Sequence, residues 1–326
     1  MKQLKTKAEL LRLQTICQIL EDTGVDALPA IPEQLAGGDM PGDKILIEPW
    51  HVKLAKTILP QLLVCILETM QRQGTLRVVV SICGGSGVGK SEVASLLSFY
   101  LNALTVGSYT LSGDNYPHRF PRLNDAERLR IFRETGLKGL LVSGEATDDR
   151  LQRLRRYMRS GQDAAWPPVK EESWMELYQR AGRAGLREYL GSRNELDFEE
   201  LTNVIRQFKG GAERIELKRM GREDDELWYE NVRFPPCGIL VIEWTHGNSD
   251  MLTGVDIPVL LSSTPQQTLA HRQKRARDGA VDSAFTRMVL QLEQEMLLVQ
   301  AGRAKLIVSK EGDFLTLEDY YERMCE

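Results

Sequence analysis

The sequence predicts an α/β domain with a five-stranded parallel sheet flanked by helices, and two observations lead to this fold. From residue 76 onward short apolar runs alternate with helical patterns, which is typical of a parallel sheet covered by helices. The β-branched run at 77–83 also passes through glycines directly into a helical pattern, as a strand–turn–helix unit does. The predicted strands are residues 76–83, 108–112, 238–243, 257–262 and 305–309.

The first 75 residues predict an N-terminal helical region with helices at 5–22 and 50–73. Between these helices the stretch PAIPEQLAGGDMPGDK is rich in Pro and Gly, which is typical of a surface connection. The region carries no chemical motif. We therefore expect it to pack on the core domain or to form the interface of a homodimer.

Residues 76–326 predict a core domain that contains a long insertion. Roughly 125 residues separate the second and third predicted strands, which is too long for a loop in a compact domain. Charged helical patterns are followed there by RIELKRMGREDDELWYENVRF, whose two β-prone arms flank a polar tip, as in a hairpin. We expect residues 145–235 to form a helical and hairpin subdomain. The predicted helices of the core domain start near residues 89, 124, 264 and 282.

Composition and charge exclude several classes of function. The 326 residues are 42% hydrophobic and 27% charged with a net charge of −4, so no basic footprint for nucleic acid is present. Polar residues interrupt the most apolar segment, 54–70, which favours a packed helix over a membrane span. Without a signal peptide, five dispersed cysteines predict reduced thiols in a cytoplasmic protein. They are Cys17, Cys65, Cys83, Cys237 and Cys325.

The glycines after the first strand belong to a phosphate-binding motif. The stretch GGSGVGKS fits G-x-x-x-x-G-K-[S/T] and has the strand before it and the helix after it that the motif requires. Glycines let backbone N–H groups turn inward around phosphate oxygens, and the helix N-terminus adds its dipole. Lys90 can then reach the β- and γ-phosphates, and the Ser91 hydroxyl can ligate Mg²⁺. The predicted nucleotide-binding residues are Gly84, Gly85, Ser86, Gly87, Val88, Gly89, Lys90, Ser91 and Glu92.

A carboxylate follows the second predicted strand. Asp114 lies 24 residues after Lys90, and ligands of open α/β sheets bind beyond the carboxyl ends of the strands. A carboxylate at that edge can orient an attacking hydroxyl, accept its proton or hold a water of Mg²⁺. The alternative is an Asp that caps the following turn or helix.

Four residues close behind Asp114 are candidates for acceptor binding. Arg119 and Arg122 offer guanidinium groups suited to phosphate or carboxylate, and His118 and Tyr116 lie beside them. They point to an anionic acceptor or product. A solvated basic loop is the alternative interpretation.

The third predicted strand, GILVIE, ends in Glu243. An acidic residue at this position can contact Mg²⁺ through water or steer the acceptor, as a Walker-B-like carboxylate does. A helix cap or a buried ion pair is the alternative. Trp244, Thr245 and His246 follow, and we expect them to line the same mouth.

Basic residues follow the fourth predicted strand in the stretch TPQQTLAHRQKRARDG. Such a run is commonly a solvated helix face. It also suits a lid over residues 264–290, because arginines brought over a nucleotide stabilise the charge that spreads over a transferring phosphoryl group. Arg277 is the best candidate for this role and Arg272 is the next.

Together these residues resemble the group of P-loop kinases that includes uridine kinase, phosphoribulokinase and pantothenate kinase. The likeness covers about residues 76–310 and rests on GGSGVGKS, Asp114, Glu243 and the RARD at 275–278. The stretch LDFEELTNVIRQFKGGAERIELKR is similar to the segment that leads to their acceptor site. The resemblance implies strand order 2-3-1-4-5, ATP and Mg²⁺ as cofactors, Asp114 as the base, and Lys90 with the lid arginines at the γ-phosphate.

Two departures fall where that group binds its acceptor. Glu243-Trp244 stands in place of the usual Glu-Gly, and Asn115-Tyr116 in place of an aromatic pair. The segment LSGDNYPHRF also resembles adenylylsulfate kinases, although their later phenylalanine-rich and lid segments have no counterpart here. The sequence thus predicts a kinase acting on a small metabolite. The alternatives are an adenylylsulfate kinase and a regulatory NTPase with water as acceptor.

Overall fold

The fold is described from a computed structural model. Two predicted site residues, Arg272 and Arg277, lie outside the residues that the structure describes. The structure describes residues 2–32, 35, 37–42, 45–165, 173–234, 238–264, 266–269 and 283–325.

The strands form one six-stranded sheet and a separate two-stranded hairpin. The strands are β1 (Val78–Gly84), β2 (Ser108–Ser112), β3 (Arg214–Met220), β4 (Leu227–Arg233), β5 (Ile239–Glu243), β6 (Ile257–Ser262), β7 (Leu306–Ser309) and β8 (Phe314–Leu315). The sheet follows the order β2-β5-β1-β6-β7-β8, and its pairs are parallel except β7 with β8. Strands β3 and β4 are the antiparallel hairpin that the sequence predicts.

The mostly parallel α/β fold is confirmed, but the expected count of five strands is wrong by one. The sixth strand, β8, has two residues and pairs antiparallel with β7 at the sheet edge. A strand this short carries no alternating pattern, so the sequence offers no signal for it. The central strands β1 and β5 are buried along their whole length, as strands covered on both faces are.

Nine α-helices with bounds inside the described residues accompany these strands. They are α1 (Lys2–Thr23), α2 (Pro49–Gln73), α3 (Lys90–Ala103), α4 (Pro121–Val142), α5 (Asp148–Ser160), α6 (Ser173–Tyr189), α7 (Phe198–Lys209), α8 (Ala284–Ala301) and α9 (Leu317–Cys325). Helix α4 begins three residues before the expected start because Pro121 suits the first helical turn, where an N–H has no intrahelical partner.

The chain divides into two compact units whose boundaries differ from the predicted ones. The first unit comprises residues 1–116, 198–268 and 297–326, and the second comprises 117–197 and 269–296. The N-terminal region therefore belongs to the unit that holds the large sheet. The predicted subdomain 145–235 is split, because the β3–β4 hairpin lies in the first unit and α5 and α6 lie in the second.

In the first unit the N-terminal helices share a core with the sheet. Leu54, Ile58 and Leu62 of α2 are buried in one cluster with β1 and α3. Helix α2 is long and apolar enough by composition to cross a membrane. Its apolar side chains instead face this core, which is the packing of a core helix.

In the second unit two ion pairs with buried carboxylates tie the helices to the intervening turns. Arg133 of α4 donates to Asp163 at 2.8 Å, and Arg128 donates to the fully buried Glu195 at 2.6 Å. Each carboxylate thus has a guanidinium partner, which offsets the loss of hydration on burial.

Replacing Ile58 by Ala should lower the free energy of unfolding by about 2–5 kcal/mol, because the change leaves a cavity where a 0% exposed side chain was. The matched change Ile19→Ala on α1, at a side chain 51% exposed, should alter it by about 0.5 kcal/mol or less. Urea unfolding followed by circular dichroism measures both. Equal losses would contradict the place of α2 in the core.

Candidate nucleotide-binding site

The phosphate loop joins β1 to α3 in the first unit. Gly87 and Gly89 have φ values of 78° and 89°, a left-handed conformation that residues with a side chain rarely adopt. Gly89 is also the N-cap residue of α3, so the loop delivers the chain directly into the helix. The first amides of α3 have no intrahelical acceptor, and this makes the loop a ready position for phosphate oxygens.

The two residues after the loop make hydrogen bonds within the loop and to the end of β5. The Lys90 ammonium donates to the Gly85 carbonyl at 3.0 Å, so its side chain folds back over the loop. The Ser91 hydroxyl donates to the Glu243 carboxylate at 3.3 Å. The loop and the end of β5 therefore meet at one point.

Glu243 is the central carboxylate of this site. It pairs with Ile82 of β1 on one side and with Ser112 of β2 on the other. The Ser112 hydroxyl donates to it at 2.5 Å. Burial, reinforced by the charge of nearby Asp114, raises the pKa of Glu243 to about 8, while Lys90 and the two serine hydroxyls act in the opposite direction.

Asp114 lies in the short turn that follows β2. It is exposed, whereas every other residue from Leu111 to Pro117 is buried. Its charge contributes to the raised pKa of Glu243, which places the two carboxylates in the same electrostatic neighbourhood. The structure thus brings together four predicted residues: Lys90, Ser91, Asp114 and Glu243.

The donor set fits Mg²⁺. This ion takes oxygen ligands, keeps several waters, and commonly binds through one or two protein oxygens plus phosphate. The Ser91 hydroxyl and the Glu243 carboxylate supply two such oxygens beside the phosphate loop. No group of three or more His, Cys, Asp or Glu side chains with metal-binding geometry occurs among the described residues, and Mg²⁺ bound with a nucleotide requires none.

Trp244 and His246 do not line an open mouth, contrary to our expectation. Trp244 is 1% exposed, and its ring packs against Phe198 and His246. A Cβ at Gly113 would overlap this ring. The indole therefore forms the floor beneath the turn that carries Asp114, and a residue without a side chain is required above it.

The other predicted acceptor residues have different surroundings. Tyr116 is fully buried, which is not the accessible position that an acceptor-binding side chain requires. Arg119 lies in the second unit and donates to the Tyr189 hydroxyl at 3.0 Å. His118, in the same unit, lies 3.1 Å from the Arg193 carbonyl through its Nε2. Arg122 is exposed in the first turn of α4.

The N-terminal region contributes residues that the sequence did not indicate. The Asp39 carboxylate accepts hydrogen bonds from the Ser112 amide at 2.7 Å and from the Tyr109 hydroxyl at 3.0 Å. It also accepts from Asn115 at 3.0 Å and Arg219 at 2.8 Å. Burial raises the pKa of Asp39 to about 6, although the Arg219 charge and the hydrogen bonds from Ser112 and Tyr109 act to lower it. The connection between α1 and α2 is therefore not a plain surface loop, because a carboxylate within it is anchored on β2.

The same region also lines the outer side of the phosphate loop. A Cβ at Gly89 would lie 2.7 Å from His51 and 2.9 Å from Trp50, so the start of α2 packs directly on the loop. Predicted nucleotide-binding Glu92 is buried and accepts from the Leu46 amide at 3.4 Å. Glu92 thus holds the N-terminal segment beside α3.

The sequence is similar to a bifunctional alpha-galactosidase/sucrose kinase, AgaSK, from Mediterraneibacter gnavus. The two are 39% identical over 236 residues, which make up 72% of this chain and 20% of that protein. The chain therefore spans about one fifth of the length of this curated relative. No protein-family model matches the sequence.

Solved structures give weaker likenesses. A candidate fructose transport system kinase from Silicibacter sp. TM1040 is 17% identical with a TM-score of 0.39, over 75% of this chain and 88% of that one. A possible uridine kinase from Bacillus stearothermophilus is 17% identical with a TM-score of 0.37, over 76% and 98%. The YGR205w protein is 10% identical with a TM-score of 0.44, over 81% and 96%. At such TM-scores the likeness supports no conclusion about function.

Gly113→Ala should lower the free energy of unfolding by about 1–3 kcal/mol, because the added methyl group overlaps the buried Trp244 ring. The control is Gly302→Ala, where the nearest atom to a Cβ is the Val299 carbonyl oxygen at 3.8 Å. Thermal unfolding of both variants measures the difference. A Gly113→Ala protein as stable as the control would contradict the close contact.

Glu243→Gln should make the metal-free protein more stable, and increasingly so as the pH rises from about 5 to about 8. The raised pKa means that the folded state binds a proton more tightly than the unfolded state, so wild-type stability falls as pH rises through this window. Glutamine mimics the protonated form and lacks this dependence. Melting temperatures at pH 5, 7 and 9 without nucleotide test the expectation, and parallel curves for the two proteins would refute it.

Proposed function

We propose that this chain is an ATP-dependent kinase that transfers the γ-phosphoryl group to a hydroxyl of a sugar. The supporting observation is the meeting of the phosphate loop with Glu243 and Asp114 at one edge of the sheet. A loop that binds phosphates, a metal-binding pair and an exposed carboxylate are the parts that phosphoryl transfer needs.

On the nucleotide side the phosphate-loop amides hold the β- and γ-phosphates. Lys90 is 3.0 Å from the Gly85 carbonyl in the loop, and a bound phosphate is a stronger partner for its ammonium. Ser91 and Glu243 would hold Mg²⁺, which when bound neutralises charge on the phosphate oxygens. These residues position the nucleotide, and little covalent chemistry is left for the protein to perform.

On the acceptor side Asp114 orients the attacking hydroxyl. The sugar oxygen forms a bond to the γ-phosphorus, the bond from that phosphorus to the bridging oxygen breaks, and ADP leaves with the bridging oxygen. Asp114 accepts the hydroxyl proton, a role its exposure permits. Arg272 and Arg277 remain predicted as lid residues that steady the transferring group.

A sugar is the acceptor class that the similarity to AgaSK favours. That relative's name joins two activities, and this chain spans a fifth of its length. The phosphate loop is a feature of a kinase and has no part in cleaving a galactoside, which relies on two opposed carboxyl groups. We therefore assign the shared part to the sucrose kinase activity, with sucrose as the first acceptor to test.

A cytoplasmic location, where ATP is supplied, belongs to the same proposal. Dimerisation through the N-terminal helices also remains a prediction, to which the exposed Leu11 and Ile19 of α1 are relevant. Sedimentation of the purified chain would decide the oligomeric state.

Asp114→Asn should lower kcat for sugar phosphorylation by about 10²–10⁴-fold and leave nucleotide affinity unchanged, because the amide cannot accept the hydroxyl proton. ADP release measured with sucrose, fructose, glucose, nucleosides or adenylylsulfate identifies the acceptor, and ³¹P NMR identifies the product. Lys90→Ala should instead weaken nucleotide binding in calorimetry.

The matched control is Asp26→Asn, which alters an exposed carboxylate in the short turn after α1. It should leave kcat unchanged. Steady ADP release that no sugar stimulates would reject the sugar kinase in favour of a regulatory NTPase. Stimulation by adenylylsulfate alone would favour the adenylylsulfate kinase.

A further inference from the structure

Asp39 makes an unusual number of contacts for a residue in a glycine-rich connection. Its side chain is 9% exposed, and four donors reach its carboxylate. They divide between its two oxygens. Oδ1 accepts from the Ser112 amide and from the Asn115 side chain, whereas Oδ2 accepts from Tyr109 and Arg219.

The two donors to Oδ1 lie on either side of Asp114. Ser112 ends β2 before the turn, and Asn115 closes the turn. The Oδ1 atom of Asn115 accepts a hydrogen bond from the Met220 backbone amide at 3.0 Å. One carboxylate oxygen therefore holds both ends of the short segment that presents Asp114.

The two donors to Oδ2 fix the carboxylate itself. Arg219 is 5% exposed, and it donates to Asp39 at 2.8 Å, to Glu230 at 3.0 Å and to the Tyr109 hydroxyl at 2.9 Å. The ion pair offsets the cost of burying the Asp39 charge. The neighbouring Gly38 brings the segment alongside Glu243, since a Cβ there would be 3.7 Å from its Oε1.

We propose that Asp39 is a positioning residue of the phosphoryl transfer, which acts by fixing the turn that carries Asp114. The inference rests on the proposed kinase function. A base must be held in line with the γ-phosphate, and a displacement of about 1 Å can cost about a hundredfold in rate. Asp39 touches neither nucleotide nor acceptor in this role.

Asp39→Asn should lower kcat by about a hundredfold, with the affinity for Mg-ATP unchanged. The change keeps the size of the side chain but replaces one acceptor oxygen by a donor. At the Oδ1 position this removes the acceptor of Ser112 and Asn115, and at the Oδ2 position it removes the acceptor of Tyr109 and Arg219, so the carboxylate is no longer fixed. Tyr109→Phe removes one of those donors and should produce a smaller fall of the same kind. Steady-state kinetics with ADP release and calorimetry with Mg-ATP give the two readouts.

The chain offers a matched control in Asp256, another buried carboxylate. It accepts from the Val79 amide at 2.9 Å, from Gln73 at 2.7 Å and from Lys209 at 2.6 Å. These contacts lie at the start of β1, the strand end opposite the phosphate loop. Asp256→Asn should lower the melting temperature as Asp39→Asn does, but leave kcat within about twofold of wild type.

A double variant tests the route of the effect. If Asp39 acts through Asp114, Asp39→Asn should cause little further loss in an Asp114→Asn background, because there is no base left to position. Equal fold-losses in both backgrounds would overturn the inference, as would an Asp39→Asn enzyme with wild-type kcat. A wild-type protein that phosphorylates no acceptor overturns the proposed function itself and the inference with it.

Discussion

A carboxylate held out of water beside the phosphate loop is the constraint around which this site is organised. Glu243 ends a central strand that is buried throughout, and its hydrogen-bond partners are the hydroxyls of Ser91 and Ser112. Serine hydroxyls solvate a charge only in part, and the nearby Asp114 adds repulsion, so the ionised form is disfavoured. A divalent cation with its waters would reverse that balance.

Three other buried carboxylates among the described residues show what a structural role looks like. Asp163, Glu195 and Asp256 each have a Lys or Arg partner within 3 Å. Their charges are compensated inside the protein, as folding alone requires. Glu243 is hydrogen-bonded to hydroxyls instead, at the point where phosphate is expected. This contrast favours the metal-binding interpretation of Glu243 over the buried ion pair that its sequence position also allowed.

The sequence predicts the features that depend on neighbours in the chain, and it misses those that depend on distant ones. The phosphate loop, the parallel strands and the β3–β4 hairpin each have a local pattern. Asp39 has none, because its partners are 70 or more residues away and glycines around it are also typical of ordinary loops. The burial of Trp244 could not be foreseen for a similar reason. Gly113 has no side chain and so leaves room for an indole at the position where a kinase of the resembled group has glycine.

The turn after β2 is held in place by its neighbours and yet leaves the Asp114 side chain exposed. These two properties together determine the interpretation of Asp114. Trp244 packs beneath Gly113, Asp39 holds Ser112 and Asn115, and the β3 backbone holds Asn115 from another side. Within this fixed frame the Asp114 side chain alone is exposed. Loops positioned by rigid scaffolds are where binding and catalytic groups concentrate. Residues from the N-terminal region, the sheet and the hairpin are all needed to build that frame. The N-terminal region therefore supports the proposed site, although it carries no motif of its own.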